Sequence, residues 1–129
     1  MAIASLTFGG VLFGYVRTTD HAQWSAYSLS AQSLAGQAVE QVRAARWDPQ
    51  ASPAVDQLGC TNFVRAEQLD AAPSGSPVWA TNYISITPVS TDPPLRQLRA
   101  DCVWSMASRG GKLRGPFTNT VITLRTTDQ

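Results

Sequence analysis

MAIASLTFGGVLFGYVRTTDHAQWSAYSLSAQSLAGQAVEQVRAARWDP, residues 1–49, decides the fold. Residues 1–16 carry no charge and are nearly all apolar or small, and Arg17, Asp20 and His21 then change the character abruptly. From Trp24 onward, apolar or small residues recur at Tyr27, Ala31, Leu34, Ala38, Val42 and Ala45. Steps of three and four describe one face of an α-helix. Asp20, Gln23, Ser30, Gln37 and Glu40 fall on the other face. Asp48-Pro49 ends the pattern, because the residue before a proline avoids the α region. One continuous helix is expected from near residue 3 to about residue 46, roughly 65 Å long at 1.5 Å per residue. It starts as an apolar stalk and ends as an amphipathic helix.

The stalk has its own signature. As a helix, its sixteen uncharged residues reach about 24 Å, short of the ~30 Å hydrocarbon layer of a bilayer. No Lys or Arg precedes Arg17 and no A-x-A-like cleavage site follows, so the pattern is not that of a secretory signal peptide. Gly9, Gly10 and Gly14 suit a membrane helix better than a soluble one. Gly10 and Gly14 form a small-xxx-small pair that permits close helix approach. Ala4, Phe8, Gly10, Phe13 and Gly14 are the candidate assembly or membrane residues.

Working outward, the remainder reads as a small β-rich head. Residues 48–59 form a loop, 60–69 a short strand, 70–77 a turn and 79–89 an alternating strand. The best strand is 95–106, with Leu98, Ala100, Cys102, Trp104 and Met106 pointing one way and Arg99, Asp101 and Ser105 the other. A hairpin loop over 108–115 leads to a threonine-rich strand over 117–126. These connections are too short for crossover helices, so the sheet should be antiparallel. The fold class is α+β: a stalk over 1–20 and a head over 21–129, with helix 21–47 packed on a sheet over about 60–126. Trp24, Tyr27, Leu34, Val42 and Trp104 are the expected head core.

Composition excludes several functions. A net charge of +1 supplies no field to recruit nucleic acid. His21 is the only histidine, and no nucleophile elbow, zincin, P-loop or dinucleotide motif accompanies it. No catalytic, cofactor or metal residues are expected. Asp101, the best-placed acid, should pair with Arg99 or Arg125. SRGGKLRG, residues 108–115, has the composition of a phosphate patch but reads equally as a solvated hairpin loop. Trp47 and Trp79 have no clear placement. Cys60 and Cys102 are too far apart in sequence for a CxxC motif. In an oxidising compartment they would form one disulfide, closing a loop of roughly 40 residues worth on the order of 4 kcal/mol. In a reducing one they would be buried thiols. The membrane-like N-terminus favours the disulfide.

IASLTFGGVLFGYV followed by AQWSAYSLSAQSLAGQAVEQVRAARWDP resembles the helix of the type IV pilin-like superfamily, in particular its minor pilins and type II secretion minor pseudopilins. LRQLRADCVWSM, a loop and FTNTVITLRT are similar to the last two strands of such heads. The resemblance implies a non-enzymatic subunit of a type IV pilus or a type II secretion pseudopilus. It implies anchoring in a bacterial inner membrane, a periplasmic head, and partners that are other pilin subunits and an assembly platform. The leader, glycine cleavage site, N-methylated aromatic residue and glutamate of that family have no counterpart here, and Met1 falls where the middle of the hydrophobic segment is expected. The alternative is a membrane-anchored periplasmic module whose head captures a ligand or exoprotein.

Overall fold

The computed structural model describes residues 2–70, 77–107 and 112–128, with side chains from residue 7 onward. Among the described residues, a single helix, α1 (Ala2–Ala44), carries six strands behind it: β1 (Trp47–Asp48), β2 (Val55–Asp56), β3 (Asn62–Asp70), β4 (Val78–Thr91), β5 (Pro94–Ala107) and β6 (Leu113–Thr126). The four long strands form one antiparallel sheet in the order β3-β4-β5-β6. β1 and β2 pair separately, β1 starting at the expected last helical residue and the rest lying in the stretch expected to be loop. The loop residues expected at 71–76 and 108–111 lie outside the described residues.

The helix ends at Ala44, two to three residues short of the expected end, and a distant side chain explains how. The last carbonyls of a helix have no partner inside it. Here Arg125 of β6 reaches across, its Nη1 donating to the Val42 carbonyl at 3.1 Å and its Nη2 to that of Ala45. The chain then turns into β1. Trp47 there is buried, with the Arg96 guanidinium 4.0 Å from its ring centroid. Arg96 also donates to both carboxylate oxygens of Asp56, at 3.0 and 2.6 Å. Arg96 thus pins the β1–β2 ladder to the end of the sheet.

The helix packs on the sheet through its small residues. Ala31, Ala35, Ala38, Val39 and Val42 are buried, and Tyr27 and Leu34 are half-buried against them. Ala35 and Val39 thus hold the centre of the seam, beside the expected stripe. Alanine lets backbones approach closely, so the seam is tight without large side chains. The sheet presents Ala80, Ile84 and Ile86 from β4 and Leu98, Ala100, Cys102, Trp104 and Met106 from β5. Trp24, expected in the core, is instead 42% exposed: it lies beyond the end of the buried seam and meets the head only edge-on, 6.1 Å from Phe117.

Polar contacts orient the helix on both sides of the seam. Tyr27 donates to Asp70 at 3.2 Å on the β3 side. On the β6 side, Trp104 Nε1 donates to Asn119 Oδ1 at 2.8 Å, and Asn119 Nδ2 donates to Ser28 at 3.1 Å. Asp101 pairs with Arg99 at 2.8 Å across the solvent face, leaving Arg125 for the helix end. Gly115 has φ +120, and a Cβ there would sit 3.0 Å from Ser105 Oγ and 3.1–3.2 Å from the backbone of Phe117 and Trp104. Only glycine fits this backbone position, next to the bulge between Trp104 and Met106.

Candidate functional site

The expected disulfide is absent. Cys60 and Cys102 are both free, Cys60 exposed ahead of β3 and Cys102 fully buried on β5 under the helix. Alternation along β5 turns Cys102 into the core. Burial pushes its thiol up to about 11. A buried thiol with so little thiolate is inert, so Cys102 acts as a small core residue. Among the described residues, no three His, Cys, Asp or Glu side chains converge to hold a metal ion.

What the molecule does expose is the first half of its helix. Phe8 is 74% exposed, Val11 72%, Phe13 and Tyr15 64% each, and Leu12 58%. Phe8, Val11, Leu12 and Tyr15 recur at i, i+3, i+4 and i+7, so they form one apolar face. Three aromatic side chains about two-thirds bare already leave on the order of 400 Å² uncovered. Val11 and Leu12 add to this bare apolar area, and Phe13 stands off the face that the other four share. At ~25 cal/mol per Å², covering 400 Å² is worth about 10 kcal/mol. Among the described residues, no element of the head covers these side chains.

The glycines add a second property. A Cβ built on Gly9, Gly10 or Gly14 meets nothing within 4 Å, so their bare backbone is open to an incoming helix. The side chain of Ala4 lies outside the described residues. Where the apolar segment meets the polar one, the hydroxyls are tucked in. Thr18 donates to the Gly14 carbonyl at 2.9 Å and Thr19 to that of Tyr15 at 2.8 Å. Such back-bonding satisfies a hydroxyl without water, and Arg17 folds over the Phe13 ring at 5.1 Å. Among the described residues, no helix is long and apolar enough to cross a membrane.

A groove opens at the foot of the head, between Arg17, Asp20, His21 and Trp24 of α1 and Met106, Arg114 and Phe117 of β5 and β6, with a volume of about 520 Å³. Asp20 Oδ1 there is shut off from solvent and accepts no hydrogen bond. No sequence signal marked this groove, because it depends on a helix face and a strand end about ninety residues apart meeting in space. Known proteins offer no guide to either surface: no family model, no curated protein and no solved structure matches the chain.

Proposed function

We propose that this chain is a structural subunit of a helical fibre, a minor pilin or pseudopilin of a type IV pilus or type II secretion pseudopilus, and not an enzyme. One observation carries the reading: a rigid helix whose apolar, glycine-bearing half projects from the head with its large side chains bare. Helices packed in a fibre core, or lipid before assembly, supply the missing cover. The small residues allow that packing to be close. On this reading the apolar half anchors the subunit at a bacterial inner membrane, the head lies in the periplasm, and an assembly platform stacks the subunits.

The test is deletion of residues 1–16. The full chain should require detergent and self-associate in it. The truncated head should be a soluble monomer whose melting temperature matches that of the full chain. Gly10→Leu or Gly14→Leu should weaken self-association and leave the head's melting unchanged. An insoluble truncated head, beside a full chain that is monomeric in plain buffer, would make the stalk part of the core and end the fibre reading.

A further inference from the structure

We propose that the groove at the foot of the head binds the phosphoethanolamine headgroup of a membrane phospholipid. Arg17, Asp20, His21 and Trp24 fall at i, i+3, i+4 and i+7, so they share one helix face. Continued along the helix, that same face buries Ala31, Ala35 and Ala38 against the sheet. A stripe facing the sheet has every reason to stay apolar, yet it becomes ionic where the buried seam ends. Across from it stand Arg114 and Phe117 of β6 and Met106 of β5. The groove's 520 Å³ falls within the usual span of small-ligand sites, ~300–1,000 Å³.

The charges lining the groove are not spent on one another. Among the described residues, Arg17, Arg114 and Asp20 take part in no ion pair. Asp20 lines the groove, and its Oδ1 accepts no hydrogen bond from the protein. A complementary ligand has an anionic oxygen cluster for two guanidinium groups, an ammonium N–H for Asp20, and an apolar remainder against Trp24, Phe117 and Met106. Phosphoethanolamine supplies the first two and its acyl chains the third.

Position favours a lipid as the source. Arg17 is the first charge after the bare residues 8–15, so the groove begins where the apolar surroundings of the stalk end. Tryptophan is favoured at that level of a membrane, and Trp24 stands there. The inference rests on the proposal above that lipid surrounds the stalk. Its test reads headgroup selectivity and not assembly, so the two stand or fall separately.

The experiment is native mass spectrometry of the full chain in a non-ionic detergent. It is titrated with phosphatidylethanolamine, phosphatidylglycerol and phosphatidylcholine of matched acyl chains, and with soluble glycerophosphoethanolamine. Phosphatidylethanolamine should be retained about tenfold better than either other lipid, the effect of one charged hydrogen bond. Phosphatidylglycerol lacks an ammonium, and the choline nitrogen has no N–H. Asp20→Asn should abolish that preference and leave phosphatidylglycerol binding intact. Arg114→Gln should weaken both phosphatidylethanolamine and phosphatidylglycerol about tenfold, while Arg114→Lys keeps most of the binding. Equal retention of the three lipids, or a preference that survives Asp20→Asn, overturns the proposal. Glycerophosphoethanolamine binding as tightly as the lipid also overturns it, by making the ligand a soluble phosphodiester.

Discussion

Asn82 offers a sharp test of how the helix–sheet seam is held. It sits in the middle of β4, completely buried, with Arg65 opposite it on β3 and Cys102 on β5. Neither its amide nitrogen nor its oxygen has a hydrogen-bond partner. A buried polar atom left unpaired costs about 1–3 kcal/mol. Leucine has the same branched skeleton with no polar atom, so Asn82→Leu removes two such penalties. Its methyls are larger than the groups they replace, and overpacking returns about 1–3 kcal/mol of that gain. The balance is a net stabilisation of about 1–2 kcal/mol, read as a higher urea midpoint at unchanged slope by tryptophan fluorescence. Asn82→Asp should destabilise by more than about 3 kcal/mol, since it buries an unpaired charge. If leucine destabilises the head by more than about 1 kcal/mol, the amide is satisfied in solution and the reasoning about the seam fails.

Three further outcomes follow from particular residues. A thiol reagent should label one cysteine of the native protein, Cys60, and both after unfolding, because burial holds the Cys102 thiol in its protonated form; two rapid labels, or none, would contradict the structure. Gly115→Ala should cost about 1–3 kcal/mol of stability in denaturant unfolding, from backbone strain at positive φ and contacts below 3.4 Å; a neutral result would mean that the strand end is free to relax. The Asp56 carboxyl is held below its ordinary range by its hydrogen bonds to Arg96, against the opposing effect of burial. A carboxyl depressed in the folded state stabilises above its unfolded pKa of about 3.9, and that contribution is lost as pH falls through the folded value. Wild type should therefore lose melting temperature on acidification from pH 5 to pH 3 more steeply than Asp56→Asn, and parallel curves would remove the ion pair from the account.

The legible parts of this fold are those governed by local pattern. The helix follows from a long run without breakers, ended by Asp48-Pro49, and β5 follows from strict alternation over Leu98, Ala100, Cys102, Trp104 and Met106. What was illegible depends on residues far apart in the chain. Trp47 is buried because Arg96 covers it, and the helix stops where it does because Arg125 reaches its carbonyls. The β1–β2 ladder occupies only two residues on each side, too few for any periodicity to register. Trp24 has the right spacing for the core, but spacing along a helix does not reveal where the sheet beneath it ends. The cysteines misled for a related reason: their count and the apolar N-terminus suggested a bridge, while alternation had already turned Cys102 inward, away from an exposed Cys60.

The two halves of α1 are held by different physics, and that difference makes a stalk of one half. Residues 27–42 are fixed by buried alanine and valine, by Tyr27 on one side and Ser28 on the other, and by Arg125 at the end. A helix clamped in this way cannot fold its other half back onto the head without breaking, and no proline occurs within it to allow a sharp kink. The bare residues 8–15 therefore keep their distance from the apolar surface that the described residues of the head present. The roughly 10 kcal/mol of burial they represent is not realised against the described residues of the head. A cost of that size is of the same order as the whole stability of a small domain. On the fibre reading proposed above, the head is stable without the stalk and the stalk gains its burial from neighbouring helices or lipid, which is the division of labour that deletion of residues 1–16 measures directly.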